Sequence, residues 1–370
     1  MEEQEQVQNK VTNKDVYKHY FSSMLVYGII LLFIIFCPVL NESIENEFFN
    51  YTTFFILYYI AYGIFSLPIY LWLKPEALLT SRNVAILTYF KRQFRKDMTL
   101  QQWLTHIEPK KVEKQAFMIL FMKTFFGVYC VNVLCNKYLP GLDYDIAFLK
   151  EMFGLAINYS NASGFLPALW QFIDDTSDMW ITIMLMLTNL IFAVSYLTEL
   201  DLFKNKIQSI DTTPLGVISC IICYYPVILL TNQIIPQHNE ELIPVENLGL
   251  RIFLNILTVL VNFGALLAVA RLGTKSGNLT NRGIETRFPY SVIRHPNYSM
   301  QICYIILTSI PVLLLSGYSL LWKAIIIVGI IAWIGIYYLR AITEERHLIK
   351  DTAYREYAKV VKYRFIPKVF

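Results

Sequence analysis

Long runs of apolar residues alternate with shorter polar segments along this chain, and the alternation predicts its fold. Each run holds roughly the 20 residues that an α-helix needs to cross the hydrocarbon core of a bilayer. We predict eight transmembrane helices, at residues 22–40, 54–73, 116–135, 180–198, 214–235, 249–270, 298–317 and 319–338. The predicted fold class is therefore an all-α integral membrane protein.

The composition agrees with this prediction. Of the 370 residues, 55% are hydrophobic and only 16% are charged, whereas charged residues make up about a quarter of a typical soluble domain. The net charge of +4 is small, and it reflects the loops on one side of the membrane. No nucleic-acid partner is predicted.

The distribution of lysine and arginine predicts the orientation, because loops on the inner side of a membrane carry an excess of both. With the N-terminus inside, the predicted inner segments hold 27 of these residues and the outer segments hold two. We therefore expect both termini on the inner side. The sequence leaves the endoplasmic reticulum and the mitochondrial inner membrane open as locations.

A boundary near residue 212 separates two regions of different content. Residues 1–212 form an N-terminal transmembrane region. Residues 213–370 hold the polar side chains that could bind a ligand or take part in a reaction. The outer segment 136–179 is rich in aromatic residues and predicts short surface or re-entrant helices, which either shield a lipid-facing edge or contact a partner. The N-terminal region is a second candidate contact for a protein partner. The first inner loop predicts a basic amphipathic helix on the membrane surface, with an apolar face of Val84, Leu87, Phe90, Phe94, Met98 and Leu100.

The last two predicted spans are separated only by the residues SGYS, at 316–319. Such a short connection makes them an antiparallel hairpin, so the segments before and after it meet on the inner side. The segment before it is RFPYSVIRHPNY, at 287–298, and the segment after it is AITEERHLIKDTAYREY, at 341–357. This pairing is the central geometric prediction.

Both segments carry groups that can bind a ligand. Pro296 is placed to begin a helix, where its missing N–H costs little, and Arg294 with the free N–H groups of that first turn forms a candidate anion site. Either Glu344 pairs with Arg340 one helical turn away, or Glu344 and Glu345 together bind a ligand ammonium or sulfonium, hydroxyl groups, or an arginine of the facing loop. Beyond them an interfacial helix is predicted, with an apolar face of Leu348, Tyr354, Tyr357 and Val361.

An anion site, a pair of carboxylates and aromatic rings suit a zwitterionic, nucleotide-like ligand. S-adenosylmethionine has those parts, and aromatic faces attract its sulfonium through cation–π contact. Cys220 and Cys223 form a C-x-x-C inside a span, but no second pair accompanies them, so we interpret them as packing residues and predict no metal site.

The motifs RHPNY at 294–298 and EERHL at 344–348, followed by AYREYAKVVKYRFIPKVF, resemble the isoprenylcysteine carboxyl methyltransferase and phospholipid methyltransferase family. The resemblance covers roughly residues 250–370. It implies a membrane methyltransferase that uses S-adenosylmethionine on the inner face. The residues that would contact the cofactor are His295, Pro296, Tyr298, Glu344 and Glu345. Arg294 and Arg364 would orient the substrate or close the site, and the family's upstream glycine pair would correspond to Gly277 and Gly283.

The chain departs from the family pattern at Met300, where the family usually has a glycine, and the methionine is expected to narrow the pocket. Three functions follow from these features. The first is methyl transfer from S-adenosylmethionine to a prenylated-cysteine carboxylate or another lipid-like acceptor. The second is a catalytically inactive accessory subunit of a multi-subunit membrane complex. The third is an NADPH-dependent reductase resembling sterol reductases.

Overall fold

The computed structural model describes residues 10–36, 51–94, 108–199, 203–225, 227–235, 245–315 and 317–369. Within these ranges the chain is helical apart from one pairing of two short strands. Seven of the described helices are long and apolar enough to cross a membrane. The chain is an all-α, multi-pass membrane protein, as the apolar pattern predicts.

The chain divides into two compact units, residues 1–124 and 125–370. The boundary predicted near residue 212 follows the motif content of the sequence, whereas packing groups residues 125–212 with the C-terminal region. Sequence motifs indicate which residues could bind a ligand, but they do not indicate which spans pack together.

Among its described residues, the first unit contains three helices and the beginning of a fourth. These are α1 (Asn13–Phe36), α2 (Tyr51–Leu73), α3 (Arg82–Gln93) and α4 (Lys111–Val133), with a 3₁₀ turn at Glu76–Thr80. Helix α1 packs against α2 and α3, and Val26, Ile86 and Ala116 form a buried cluster.

Helix α3 is the predicted amphipathic helix, and Ser81 caps its N-terminus by accepting a hydrogen bond from the Val84 N–H. The side that packs within the unit is a different one from the predicted apolar face, which we expect on the membrane surface. Asn83 and Ile86 are buried, whereas Phe90 and Phe94 of the predicted apolar face are 44% and 80% exposed. Helix α3 turns its Ile86 side toward other helices of the unit, which a lone amphipathic pattern does not reveal. The last two predicted positions, Met98 and Leu100, lie outside the described residues.

In its described part, the second unit begins with the end of α4, which closes in a π turn at Leu134–Tyr138, and continues through eight α-helices and two strands. The helices are α5 (Leu142–Ser163), α6 (Phe165–Leu197), α7 (Pro214–Ile221), α8 (Val227–Ile234), α9 (Leu248–Leu272), α10 (Pro296–Leu315), α11 (Leu320–Leu348) and α12 (Thr352–Val360). The strands are β1 (Ser209–Ile210) and β2 (Thr280–Asn281), which pair antiparallel.

The outer segment 136–179 does not form several short helices. It forms the 22-residue helix α5 and the first part of the 33-residue helix α6. Gly164, with φ of 92°, lies between the two helices, and Pro167 lies in the first turn of α6, where proline is tolerated. The glycine and proline therefore mark one junction between two long helices.

Helices α6 and α9 pack against each other and run in the same direction. Near their N-termini, the Arg251 Nε atom donates a hydrogen bond of 2.9 Å to Asp174 Oδ1. Near their C-termini, the Ser195 hydroxyl donates one of 2.9 Å to the Thr274 carbonyl oxygen. Two parallel neighbours require the chain between them to return across the unit.

The predicted span 214–235 lies in that returning segment, and it is two short helices, α7 and α8, rather than one long helix. The sequence places Pro226 between them, and proline both lacks an N–H donor and disfavours a helical residue before it. Helix α7 packs on the C-terminal part of α11, and the Trp333 Nε1–H donates to the Ile235 carbonyl oxygen at 3.0 Å. Residues 214–235 thus follow α11 from its C-terminal end toward its middle.

Helices α10 and α11 form the predicted hairpin, and they pack against each other. The Ser319 side chain caps α11. Helix α12 has the predicted apolar face, but protein covers it: Tyr354, Tyr357 and Val361 cluster with Tyr290 of the loop before α10. This packing fixes the loop that holds the RHPNY motif.

Candidate functional site

The loop before α10 is held by two tyrosines. The Tyr290 hydroxyl donates to the Ala268 carbonyl oxygen at 3.3 Å, and the Tyr357 hydroxyl donates to the Tyr290 carbonyl oxygen at 2.8 Å. Burial raises the pKa of both phenols, so both hydroxyls keep the proton that they donate. The loop thereby presents Arg294 and His295 to the C-terminal end of α11.

The C-terminal tail closes over this loop. The backbone N–H groups of Arg294 and His295 donate to the carbonyl oxygens of Tyr363 and Arg364, at 2.9 and 3.0 Å. The Ser299 hydroxyl donates to the Phe365 carbonyl oxygen at 2.9 Å. Helix α10 begins at Pro296 as predicted, and the N–H groups of Arg294 and His295, which precede its first turn, bind the tail.

Glu345 is the electrostatic centre of the site. His295 Nε2 and Arg294 Nε lie 3.0 and 3.1 Å from its Oε1 atom, and Arg364 Nε donates to its Oε2 atom at 3.0 Å. Its side chain is 11% exposed. Because both carboxylate oxygens are engaged with protein cations, Glu345 joins the loop, α11 and the tail.

Glu344 has a different environment. Its side chain is 40% exposed, and the Tyr298 hydroxyl donates to its Oε2 atom at 2.9 Å. Among the described residues, no lysine or arginine lies within ion-pairing distance of it, and the nearest approach of a basic group is the 3.9 Å from His295 Nδ1. The two adjacent carboxylates therefore have separate tasks, and Glu344 is the one open to a ligand.

A cavity of about 320 Å³ lies beside Glu344. The predicted residues Arg294, His295, Pro296, Tyr298 and Glu344 all line it, and so do Gly277 and Gly283. Glu345 and Arg364 do not line it. The structure thus brings the predicted residues into one cluster, and it assigns Glu345 and Arg364 to the wall behind the cavity.

The two glycines have steric reasons to be there. Gly283 has φ of 97°, a conformation that other residues rarely adopt. A Cβ atom on Gly277 would lie 2.9 Å from the Thr280 Oγ1 atom, closer than ordinary contact allows. Both glycines therefore permit the tight chain path around the cavity.

Met300 does not narrow the cavity, contrary to the prediction. Its side chain is directed toward α9, where its Sδ atom lies 2.8 Å from the position that a Cβ atom on Gly264 would occupy. Neither Met300 nor Ser299 lines the cavity. Gly264 of α9 leaves space for the Met300 side chain of α10. Met300 therefore fills a groove between the two helices.

Sequence reasoning missed three contributors. Tyr354, expected only to pack, lines the cavity, and its buried hydroxyl has no hydrogen-bond partner among the described residues. Burial and the nearby carboxylates raise its pKa, so it remains a donor. Asn278 and Tyr224 also line the cavity, and the Asn278 side-chain amide donates to the Tyr224 hydroxyl at 2.9 Å. No sequence signal places these loop residues together.

The contacts of Arg340 were also not predicted from the sequence. It does not pair with Glu344, and its Nη2 group donates to the Asn278 Oδ1 atom at 2.9 Å. Its guanidinium lies over the ring of Tyr298, 5.0 Å from the centroid, and it lines the cavity. Arg340 lies two residues beyond the predicted span 319–338, so the sequence does not indicate its position in the cavity.

Lys275, Arg282 and Glu285, in the segment after α9, are further charged residues of the lining. The apolar part of the lining comes from membrane helices. Tyr129 of α4, Leu185 and Phe192 of α6 and Val269 of α9 contribute to it. Polar and charged groups therefore share one cavity with apolar side chains, an arrangement that suits an amphipathic ligand.

Comparison of the chain with models of known protein families, with curated protein sequences and with solved structures finds no match.

Proposed function

We propose that the protein transfers a methyl group from S-adenosylmethionine to a lipid-like acceptor at the inner face of the membrane. The observation that carries this proposal is that two motifs some 50 residues apart, RHPNY and EERHL, line or support one cavity. These are the motifs that resemble the isoprenylcysteine carboxyl methyltransferase and phospholipid methyltransferase family.

The residues of the cavity fit the cofactor. Glu344 offers a carboxylate without a cationic partner, as a ligand ammonium requires, and the buried Tyr354 hydroxyl offers an unused donor for an acceptor atom of the ligand. Aromatic side chains that line the cavity, Tyr129 and Phe192 among them, favour a sulfonium. The volume of about 320 Å³ lies at the lower end of the usual range for small-molecule sites.

S-adenosylmethionine supplies an activated methyl group on a positively charged sulfur when it is bound. The chain would hold the ammonium group with Glu344, and it would keep Glu344 oriented through the Tyr298 hydroxyl. Glu345 would keep the RHPNY loop and the tail in place. The apolar side chains of α4 and α6 would accommodate the acceptor's hydrocarbon part, and a prenylated-cysteine carboxylate is the proposed acceptor.

Equilibrium binding of S-adenosylmethionine to the protein in nanodiscs tests the proposal. Glu344→Gln removes the charge and keeps the shape, so we expect at least about tenfold weaker binding, the usual effect of losing a charge-assisted hydrogen bond. Glu356→Gln is the matched control, because Glu356 pairs only with Lys359 on the exposed side of α12. Wild-type protein that does not bind S-adenosylmethionine would remove the enzyme proposal.

The alternative, an accessory subunit without activity, is favoured by one observation. Helix α5 has 22 residues and none of them is buried, although Tyr144, Phe153 and Ile157 are large and apolar. A protein partner at this helix would cover them. Stoichiometric co-purification that is lost when these three residues are replaced by serine, together with no S-adenosylmethionine binding, would favour this alternative.

We also propose that the chain crosses the membrane eight times, with both termini inside. The parallel direction of α6 and α9 supports a return crossing between them, made by the interrupted pair α7 and α8. The predominance of lysine and arginine in the proposed inner segments supports the same orientation.

A further inference from the structure

Arg340 is a buried cation whose charge the described protein does not neutralise. It is 7% exposed, and it lies eight residues before the end of α11. Among the described residues, no carboxylate lies within ion-pairing distance of its guanidinium. A guanidinium remains protonated in proteins, so the site contains a fixed positive charge.

The surroundings stabilise this charge without cancelling it. The guanidinium carbon lies 5.0, 5.7 and 5.7 Å from the ring centroids of Tyr298, Tyr224 and Tyr337. These aromatic faces attract a cation but leave its hydrogen-bond donors free. Asn278 fixes the orientation by accepting from Nη2 at 2.9 Å.

Most donors of this guanidinium are unused. It has five N–H donors, and its hydrogen bonds to the described residues, to Asn278 and to the Cys220 sulfur, both involve Nη2. The Nε and Nη1 groups make no hydrogen bond to the described residues, and Arg340 lines the cavity. The cavity is therefore bordered by a planar, oriented set of donors, the arrangement that binds a carboxylate or phosphate.

The partners of the other charged groups also indicate an anion-binding position at Arg340. Arg294 and Arg364 share Glu345, and Glu344 binds the Tyr298 hydroxyl. Lys275 and Arg282 also line the cavity, and Arg282 donates to the carbonyl oxygens of Ser195 and Asn205. Arg340 has no carboxylate within ion-pairing distance among the described residues. A bound oxyanion would supply a partner of opposite charge in an apolar setting, where an ion pair with good hydrogen bonds is strong.

We propose that Arg340 binds an oxyanion, a carboxylate or a phosphate, on the ligand that occupies this cavity. This proposal shares one requirement with the proposed function, which is that the cavity binds a small ligand. It does not require that the ligand is S-adenosylmethionine. The oxyanion has two sources, the amino-acid end of the cofactor or the head of a lipid-like acceptor, and the recognition chemistry is the same for both.

Four probes and three variants separate these sources. Binding to the protein in phosphatidylcholine nanodiscs is measured for S-adenosylmethionine and for methylthioadenosine, which lacks the carboxylate, and for oleate and its uncharged counterpart oleyl alcohol. Arg340→Gln removes the charge. Asn278→Asp keeps the guanidinium but places a carboxylate beside it, which would neutralise its charge. This second variant tests the proposal if Arg340→Gln does not fold. Arg346→Gln is the control, since Arg346 lies on the same helix, pairs with Asp211 and does not line the cavity.

We expect Arg340→Gln and Asn278→Asp to weaken binding of one anionic probe by roughly tenfold to hundredfold. Methylthioadenosine, oleyl alcohol and the Arg346→Gln control should be unaffected. Selective loss of S-adenosylmethionine binding places the anion on the cofactor, and selective loss of oleate binding places it on the acceptor. Equal affinity of wild type and both variants for both anionic probes would overturn the proposal. If wild type binds oleate through Arg340 but does not bind S-adenosylmethionine, the anion site stands and the methyltransferase proposal fails.

Discussion

Replacing Glu345 with glutamine tests how the C-terminal tail is held on the site. The carboxylate of Glu345 engages Arg294, His295 and Arg364. Glutamine keeps the shape and one acceptor oxygen, but it removes the charge and turns an amide donor toward cations. The tail should therefore detach more often from the RHPNY loop.

The magnitude follows from the burial of the group. Removing one member of a buried ion pair costs about 3–5 kcal/mol. The Arg364 side chain is 31% exposed, so we take the lower end, about 3 kcal/mol. Each 1.4 kcal/mol changes an equilibrium about tenfold, so the detached state should become roughly a hundred times more populated.

Limited trypsin digestion in nanodiscs measures that population, because cleavage of a transiently open segment follows the population of its open form. The tail offers Lys362, Arg364 and Lys368 as cleavage sites, and mass spectrometry follows release of the C-terminal peptide. We expect roughly hundredfold faster release in Glu345→Gln than in wild type, and no change in the exposed control Glu356→Gln. An unchanged release rate in Glu345→Gln would refute the assignment of Glu345 as the residue that joins tail and loop.

Three further predictions address other parts of the molecule. Met300→Gly should lower the thermal midpoint by emptying the groove between α9 and α10, while binding of S-adenosylmethionine stays the same; tighter binding would mean that the methionine does restrict the cavity. Cysteines introduced as Lys206→Cys and Glu246→Cys should react with a membrane-impermeant maleimide from opposite sides of the membrane, and labelling from the same side would contradict a return crossing by α7 and α8. Hydrogen bonds from Arg287 lower the pKa of Glu285 to about 2, so its ionised form stabilises the fold at neutral pH; the difference in thermal midpoint between wild type and Glu285→Gln should shrink as pH falls from about 5 toward 2, and a constant difference would contradict this.

The apolar pattern predicts the membrane class and seven of the long helices, because length and hydropathy are local properties of the sequence. The meeting of His295 with Glu345 was also predictable, since a short turn makes α10 and α11 a hairpin. The interruption of the span at 214–235 was not anticipated, although Pro226 was a visible signal for it.

The division of labour in the site depends on contacts between distant segments. Adjacent residues Glu344 and Glu345 have identical chemistry in the sequence, and only the positions of Arg294, Arg364 and the tail make one a structural centre and the other a ligand group. The same holds for Arg340, because the i, i+4 spacing from Glu344 suggests an ion pair. Instead, the Arg340 guanidinium donates a hydrogen bond to the Asn278 side chain.

The central claim is that S-adenosylmethionine binds in the cavity beside Glu344. Photolabelling with tritiated S-adenosylmethionine, followed by mapping of the labelled peptides, tests it most directly. We predict label in peptides that contain Tyr298, Tyr337 or Tyr354, and loss of that label in Glu344→Gln. Label confined to residues 1–124, or equal labelling of wild type and Glu344→Gln, would contradict the account.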